Sequence, residues 1–361
     1  MTAFDELLTW RESSTSGDAV RAALHAAGRA PVDVRNLLAD ADRVVVTGAG
    51  SSYYLAQVVA AAARESLGRS VLAAPLSELI LRPGGVLIGG SGGGNRAGRA
   101  ADPEPVVIIS RSGSTSEAIT VVERMRSAGH PTIAVTCRPD SPLAALADVA
   151  LVSPAGDEAA VVMTRSFASM LALLLAVVGR VGEDRALTAD LDRIADRWDE
   201  VVAAAAVGRR LGTTDWSRVV ILGGGAAFGI AAEWGLKLTE TSQVATFAYE
   251  PLEFRHGPIS LCEPGTLIVG LVGGAGAAEE VAVVREAAAL GAATWLVARD
   301  DDEAGAAPGE VSLIGGGLQP MARLPMLLHP GHALALSLAL TRGCDPDAPR
   351  HLDQVVILGP E

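Results

Sequence analysis

The sequence contains an internal duplication, which limits the folds that the chain can adopt. The segment RVVVTGAGSSYYLAQVVA, beginning at Arg43, aligns without gaps with RVVILGGGAAFGIAAEWG, beginning at Arg218. Each copy consists of a short apolar run, a glycine cluster and a segment with helical spacing of apolar positions. The pattern therefore predicts a strand, a tight turn and a helix in each half of the chain.

A second pair of matching segments follows further along each half. PVVIISRSGSTSEAITVVERMRSAGH begins at Pro105, and TLIVGLVGGAGAAEEVAVVREAAALGA begins at Thr266. Continuously apolar strands that alternate with helices are typical of parallel sheets covered on both faces. We therefore predict an α/β fold with two doubly wound parallel sheets, flanked by helices and related by duplication. Further strands are predicted at 132–136, 150–152, 294–298 and 313–315.

The duplication also predicts how the chain divides into domains. We expect an N-terminal helical segment, a phosphosugar-binding domain, a catalytic domain and a C-terminal tail near the active site; their bounds are 1–34, 35–185, 186–345 and 346–361. A glycine-rich insert at 84–104 precedes the second matching strand of the first domain. Its composition favours a flexible surface loop, and a mobile lid over the site is the alternative.

Charge and composition exclude several classes of function. The formal net charge is −13 and no stretch is rich in Lys or Arg, which argues against nucleic acid or an anionic membrane as partner. The longest apolar run, 167–178, is shorter than the roughly 20 residues of a membrane-spanning helix and predicts a buried helix. The N-terminus lacks a signal-peptide pattern, and the spacing of Cys137, Cys262 and Cys344 favours neither disulfides nor zinc. We expect a cytoplasmic protein.

The two copies differ at the turns that follow their strands, where ligands bind in α/β sheets. The first copy carries hydroxyl side chains where the second carries alanine, leucine or glycine: Ser51, Ser52, Ser110, Ser112 and Thr115 align with Ala226, Ala227, Leu271, Gly273 and Gly276. Tight turns explain the glycines of both copies but not the hydroxyls of one. We therefore predict that the first copy binds a polar ligand.

The loop at 110–115 has two interpretations. Hydroxyls, backbone N–H groups and the positive end of a helix suit a phosphate, and Arg111 adds positive charge. Alternatively, Ser114 or Thr115 caps the helix, with Glu117 in its first turn. The serine pair at the neighbouring strand end favours phosphate. The turns lack the spacings typical of dinucleotide and nucleoside-triphosphate sites.

The second copy carries the candidate acid–base residues. Lys237 and Glu240 are three residues apart and thus share a helix face; a surface ion pair is the alternative interpretation. His256 lies in EFRHGP, which predicts a loop, and it is either a general acid–base or a polar surface residue. His329 and His332 in HPGH have a metal-like spacing, but the intervening Pro and Gly argue against a helix, and we expect no metal there.

These motifs resemble those of the sugar isomerase (SIS) domain proteins, as a tandem pair over nearly the whole chain. The resemblance lies in VVVTGAGSSY, VIISRSGSTSEA, VVMTRSF and KLTE…EFRHGP. LLTWRES, TGAGSS and YEPLEFRHGPIS are most similar to the AgaS-like amino-sugar-phosphate deaminase/isomerases. The chain is also similar to the isomerase half of glucosamine-6-phosphate synthase, without a preceding glutaminase domain.

The resemblance implies roles for individual residues. The positions where the family binds the 6-phosphate of the sugar are Ser52, Ser110, Arg111, Ser112 and Thr115, to which we add the adjacent Ser51. Glu240 lies where synthase-type members keep the base that moves a proton between C1 and C2, and Lys237 matches a lysine near that base. His256 matches the histidine that opens the sugar ring, usually supplied by the partner subunit.

One motif departs from the synthase-type pattern. The lysine that forms a Schiff base with the ketose is replaced by Asp353 or Gln354 in PRHLDQVV, which argues against synthase-like covalent chemistry.

The resemblance implies an aldose–ketose isomerase and deaminase that releases ammonia from a 2-amino-2-deoxy hexose 6-phosphate. A deglycase for a fructosamine 6-phosphate and a non-catalytic sugar-phosphate-binding regulator are the alternatives. We expect no metal or organic cofactor, because the open-chain carbonyl itself acidifies the neighbouring C–H bond. Family members are homodimers or homotetramers with a shared active site, and the same assembly is expected here.

Overall fold

The computed structural model describes residues 3–87 and 103–357. Most of the glycine-rich insert predicted at 84–104 lies outside the described residues, and so does its alternative role as a lid. The chain forms two compact units. The first unit comprises Asp18–Asp157, Arg165–Thr188 and Asp353–Glu361; the second comprises Met1–Gly17, Glu158–Thr164 and Ala189–Leu352.

Strands and helices alternate along most of the described chain. The strands are β1 (Arg43–Gly48), β2 (Ser70–Pro75), β3 (Val106–Ile109), β4 (Thr132–Thr136), β5 (Val149–Val152), β6 (Arg218–Gly223), β7 (Ala245–Tyr249), β8 (Thr266–Leu271), β9 (Ala293–Ala298) and β10 (Glu310–Leu313). The helices are α1 (Leu8–Ser13), α2 (Ser16–Ala27), α3 (Val32–Ala39), α4 (Ser51–Leu67), α5 (Leu76–Leu81), α6 (Pro83–Val86), α7 (Ser116–Ser127), α8 (Pro142–Leu146), α9 (Arg165–Val181), α10 (Arg185–Ile194), α11 (Trp198–Leu211), α12 (Ala226–Ser242), α13 (Pro251–Phe254), α14 (Ala277–Ala289), α15 (Asp301–Ala304) and α16 (Leu328–Thr341).

Each unit contains one five-stranded parallel sheet. The order of the first sheet is β2-β1-β3-β4-β5, and that of the second is β10-β9-β8-β6-β7. The second order is the first one in reverse, with each strand replaced by its counterpart in the other copy. The predicted fold of two doubly wound parallel sheets related by duplication is therefore confirmed.

The first unit has a core on both faces of its sheet. Apolar residues of β1, β3 and β4 pack with those of α5, α7 and α8 in one cluster. Helices α4 and α9 pack against each other, and nearly every residue of α9 is buried. The buried helix predicted at 167–178 is thus confirmed as part of α9.

The second unit is built around a close contact of helices. Helix α16 packs against α11 and α12. Trp234 lies so near Gly331 that a Cβ atom there would meet its indole ring at 2.3 Å, and the indole N–H donates to the carbonyl of Leu327. Within the described residues, Leu324–Thr341 is long and apolar enough to cross a membrane, but 89% of it is buried, as in a core helix.

Two local predictions were wrong. The strand predicted at 313–315 shares only Leu313 with β10, which begins at Glu310 and ends before Gly315, where the backbone adopts a left-handed φ of 81°. The HPGH segment begins helix α16 rather than interrupting it. Pro330 is tolerated there because it lies in the first turn, where the missing N–H has no partner within the helix.

Candidate active site

Ser51 and Ser52 begin helix α4 immediately after strand β1, and both are buried. The turn is tight: a Cβ atom on Gly48 would lie 2.4 Å from the backbone of Ser52. Gly50 has a left-handed φ of 54°, which favours glycine. The glycines thus allow the helix N-terminus, with its two hydroxyls, to lie directly at the end of the strand.

The loop between β3 and α7 carries the second set of hydroxyls. Ser110, Arg111 and Ser112 are buried. The Ser110 hydroxyl accepts the N–H of Gly113 at 3.2 Å and lies 3.3 Å from the Thr115 hydroxyl. Thr115 occupies the N-cap position, but its side chain makes no capping hydrogen bond. A role as helix cap therefore does not explain why position 115 carries a hydroxyl side chain.

The sheet brings these two turns together. Strands β1 and β3 are neighbours, with Thr47 paired to Ile108, so their carboxyl ends share one edge. The chain leaves β1 for β2 on one side and returns to β3 on the other, which makes this edge the point where the strand order reverses. Ligands bind at such points in doubly wound sheets, and two helix N-termini here favour an anion.

The end of the chain contacts the same loop. The Arg111 guanidinium donates to the carbonyl of Gln354 at 3.0 Å, and the N–H of Ser116 donates to the carbonyl of Val356 at 3.4 Å. The segment that departs from the synthase-type pattern is therefore held against the hydroxyl loop. Arg111 is anchored by a backbone carbonyl of this segment.

In the second unit, Lys237 and Glu240 form an ion pair on α12. The Lys237 side chain is only 2% exposed and also lies 3.4 Å from Glu233, whereas Glu240 is 19% exposed. Burial lowers the pKa of Lys237, but the charges of Glu233 and Glu240 outweigh it and raise that pKa above its usual value. The surface ion pair considered as an alternative is therefore wrong. Glu240 is the member of the cluster that solvent reaches.

His256 lies in a turn between α13 and a short 3-10 helix, Pro258–Leu261, and it is exposed. Gly257, with a φ of 118°, lies in the same turn, so His256 is in a non-helical segment, as EFRHGP predicts. The structure gives the His256 ring no hydrogen bond to Lys237 or Glu240. The three predicted acid–base residues therefore form one ion pair and one separate exposed ring.

In the second copy, glutamate side chains that are absent from the sequence-derived candidates occupy the turns after the strands. Glu250 accepts the N–H of Gly225, and Glu280 accepts the N–H of Gly273 at 3.3 Å. Glu303 accepts two further N–H groups, those of Gly274 and Arg299. These carboxylates lie at the turns equivalent to the hydroxyl-bearing turns of the first copy.

Gly224 explains part of this arrangement, because a Cβ atom there would lie 2.4 Å from the Glu280 carboxylate. Burial, together with the nearby Glu250 and Glu303, raises the pKa of Glu280 to about 7, while the Gly273 N–H and Arg323 oppose the rise. In the alignment of the copies, Glu250 and Glu280 face Pro75 and Ile119. These two differences between the copies are the signal in the sequence that points to the carboxylates.

The described residues contain no group of three or more His, Cys, Asp or Glu side chains able to hold a metal ion. None of Cys137, Cys262 and Cys344 forms a disulfide bond.

The fold is a tandem pair of doubly wound α/β units, and in such folds ligands bind at the turns that follow the strands. The SIS domain model matches residues 93–180 and 213–305, one segment in each copy and together half of the chain. The chain therefore belongs to the SIS domain family, as the sequence resemblance predicted.

Curated relatives include two isomerizing glutamine–fructose-6-phosphate aminotransferases. That of Aeropyrum pernix is 30% identical over 347 residues, which cover 89% of this chain and 52% of the relative. That of Shouchella clausii is 26% identical over 343 residues, which cover 90% and 53%. The chain thus spans about half the length of these relatives.

Solved structures of similar fold include tagatose-6-phosphate ketose/aldose isomerase from Escherichia coli, with a TM-score of 0.84, 23% identity and coverage of 100% of this chain and 98% of that one. Glucosamine-6-phosphate deaminase from Thermotoga maritima has a TM-score of 0.74, 24% identity and coverage of 97% and 99%. At these identities, the likeness establishes the shared fold.

Proposed function

We propose that the protein is an aldose–ketose isomerase acting on a hexose 6-phosphate, and that it releases ammonia when C2 of the sugar carries an amine. The observation that carries this proposal is the partly exposed Glu240 carboxylate, held by a buried lysine on α12. A protein that only senses a sugar phosphate needs no such base. A hexose 6-phosphate is part of the names of the Aeropyrum pernix relative and of the Escherichia coli and Thermotoga maritima structures, which supports the substrate class.

The phosphate group binds at the hydroxyl turns of the first unit. Ser51, Ser52, Ser110, Ser112 and Thr115 lie on two turns at adjacent strand ends, next to the N-termini of α4 and α7. Hydroxyl and backbone donors at a helix N-terminus stabilise a dianion without a net positive surface. This local arrangement is compatible with the net charge of −13.

The chemistry requires one base and an open-chain sugar. His256 assists ring opening, and Glu240 removes the proton from C2, which becomes acidic once C1 is a free aldehyde. The same carboxyl group returns the proton to C1, so that the aldose becomes a ketose. With an amine at C2 the product is a ketimine; one water adds to it, and the C–N bond breaks to give the ketose phosphate and ammonia.

The role of Glu240 is tested by incubating the protein with glucosamine 6-phosphate, galactosamine 6-phosphate and the unphosphorylated sugars, and assaying ammonia and ketose. Turnover of a phosphorylated sugar is expected, reduced about a hundredfold or more by Glu240→Gln because proton transfer is lost. Glu279→Gln, at an exposed glutamate of α14, is the control and should retain activity. Binding without turnover would contradict the enzymatic proposal, and unchanged activity of E240Q would contradict the role of Glu240.

His256 serves the site of a second copy of the chain in this proposal, as its exposure and separate position allow. Mixed assemblies test this. The Glu240→Gln and His256→Ala variants should each be inactive alone, whereas a refolded mixture should regain about a quarter of wild-type activity, since half of random dimers then contain one intact site. No recovery in a mixture shown to form mixed dimers would contradict a shared site.

A further inference from the structure

The second copy keeps the backbone of the turn that follows the first strand of each copy. Gly50 and Gly225 cap helices α4 and α12 with nearly the same dihedral angles, φ 54° and ψ −127° against φ 55° and ψ −122°. Strands β6 and β8 are neighbours, and the chain leaves β6 for β7 on one side and returns to β8 on the other. The edge where the strand order reverses, and where ligands bind in doubly wound sheets, is thus present in both copies.

Backbone hydrogen-bond donors lie at this edge of the second sheet. Helices α12 and α14 both begin there, so the edge carries the positive ends of two helix dipoles. The N–H of Gly225 lies at the start of α12, and the N–H of Gly273 lies in the loop before α14. Both donate to carboxylates, those of Glu250 and Glu280 respectively. N–H groups at helix N-termini are the donors that an oxyanion binds.

A buried positive charge lies beside the same loop. Arg323 is 2% exposed, and its guanidinium donates to backbone carbonyls at the ends of β8 and β9. A Cβ atom on Gly273 would lie 2.4 Å from Nη1 of Arg323, so the guanidinium lies against this glycine. Nε of Arg323 is buried and has no hydrogen-bond partner in the part of the chain that the structure describes. The nearby Glu303 is itself paired with Arg299 at 3.1 Å. The charge of Arg323 therefore favours an anion at this loop.

Glu280 occupies the space that the first copy fills with an alanine methyl group. In the alignment of the copies, Gly224 corresponds to Ala49 and Glu280 to Ile119. A Cβ atom on Gly224 would lie 2.4 Å from the Glu280 carboxylate and 3.7 Å from that of Glu250. A methyl group at position 224 and the carboxylate of Glu280 therefore exclude each other. The glycine is what allows the carboxylate to enter the turn.

We propose that the turns of the second copy form a second oxyanion site, suited to a phosphate group, which Glu250 and Glu280 keep closed as built-in ligands. The two carboxylates take the place of phosphate oxygens on the N–H groups of Gly225 and Gly273, next to the charge of Arg323. This inference does not depend on enzymatic activity, because it concerns anion binding to the copy without the hydroxyl loop. Under the proposed function, Glu280 is a specificity-determining residue that limits each chain to one phosphosugar.

The experiment opens the site by removing both carboxylates in the double variant Glu250→Ala/Glu280→Ala. Inorganic phosphate at pH 8 should shift the amide NMR signal of Gly273 saturably in this variant, with a midpoint on the order of 1 mM, because hydrogen bonds to a charged group are strong. Wild type should show no shift at Gly273, since a carboxylate already holds its N–H. The matched control is Glu279→Ala/Glu286→Ala, which removes two exposed carboxylates of α14 and should also show none.

Gly224→Ala tests the same site without changing any charge, and it carries the test if the double variant does not fold. Gly224 does not have a left-handed φ, so its backbone accepts alanine. The added methyl group displaces the Glu280 carboxylate and frees the N–H of Gly273. Phosphate should then shift the Gly273 signal, with a higher midpoint than in the double variant because the negative charges remain. Glu280→Gln should stay closed, since its amide oxygen still accepts this N–H.

A saturable shift at Gly273 in the opened variants, absent from wild type and from the control, supports the proposal. The same shift in wild type overturns it, because the carboxylates then do not close the site. Folded variants without a shift also overturn it, and so does a control that shifts as much as the double variant. Amide signals of the loop at 110–115 report on the first copy separately. If no sugar is turned over, the proposed function fails while the result at Gly273 still decides this inference.

Discussion

The carboxylates of Glu250, Glu280 and Glu303 accept the backbone N–H groups at the turns of the second copy, where a phosphate would otherwise find its donors. A phosphate would have to displace these side chains and would meet the negative charge of those that are ionised. In the first copy, Pro75 and Ile119 stand in place of Glu250 and Glu280 and cannot compete with an anion. In the proposed function, these few side chains explain why the anion binds to one copy of the duplicated fold and not to the other.

Glu280 should make stability depend on pH. Its folded-state pKa of about 7 exceeds the ordinary 4.5, so between these values the folded chain keeps a proton that the unfolded chain has released. The free energy of unfolding should therefore fall as pH rises from 5 to 7, by up to about 3 kcal/mol, and level off above 7.

Urea unfolding from pH 5 to pH 8 measures this slope. Glu280→Gln should flatten it, because the amide does not titrate. The control is Glu286→Gln on the same helix, where Arg255 lowers the pKa of a half-exposed carboxylate. An E280Q variant with the wild-type slope would show that another group titrates.

The hydroxyl residues at the turns could be identified from the sequence, whereas the glutamates could not. Ser110 and Ser112 follow their strand directly, so their place at the sheet edge can be predicted from the strand alone. Glu250 and Glu280 reach the turns from other elements, the link before α13 and the first turns of α14. Their convergence depends on tertiary packing, which periodicity does not encode.

The loop between β3 and α7 carries most of the residues that are candidates for donating hydrogen bonds to the phosphate. Ser112→Ala and Thr115→Ala should each raise KM for a phosphorylated sugar about tenfold, because hydrogen bonds to a charged group contribute about 1.5–3 kcal/mol. Binding of an unphosphorylated sugar should change little. Steady-state kinetics and calorimetry measure the two effects.

Thr132→Val provides the matched control. Thr132 begins β4 at the opposite end of the same sheet, and its buried hydroxyl donates to Asp148 at 2.8 Å. The substitution removes a comparable hydrogen bond and should cost stability without changing KM. If S112A, T115A and T132V all have the same KM, the loop does not bind the phosphate group.

Individual strands and helices could be predicted from the sequence where long apolar runs are followed by glycine. Strands β1, β3, β6 and β8 follow the predicted runs, and α9 was recognised from its apolar composition. The prediction for the HPGH segment was wrong because Pro and Gly usually interrupt a helix, whereas Pro330 and Gly331 lie within α16. Pro330 lies in the first turn, and Gly331 accommodates Trp234; neither fact is visible in local sequence.

At the scale of the whole molecule, the second unit gathers segments that are far apart in the chain. Its N-terminal residues include α1, and Asp347 caps this helix from near the other end of the chain. Asp347 also accepts the hydroxyl of Thr9 at 2.7 Å. One carboxylate thus ties together residues more than three hundred positions apart.

Asp347→Ala should lower the free energy of unfolding by about 2 kcal/mol, the upper range for losing a helix cap. Asp5→Ala is the control: Asp5 lies in the same N-terminal segment, but its ion pair with Arg209 is exposed and should contribute about 0.5 kcal/mol. Urea denaturation measures both values. A smaller loss for D347A than for D5A would contradict the capping role.

Helix α1 contacts α16, where the Ser13 hydroxyl lies 2.7 Å from Nδ1 of His329, and this contact has a consequence for synthesis. Ser13 precedes His329 by 316 residues, so at about 5–20 residues per second a ribosome needs roughly 15–60 s between the two. A six-residue helix has little stability alone, so α1 cannot form lastingly until α16 exists. Strands β1–β5, by contrast, all lie within 43–152. The first sheet can therefore assemble before α16 has been synthesised, while α1 still lacks the helix against which it packs.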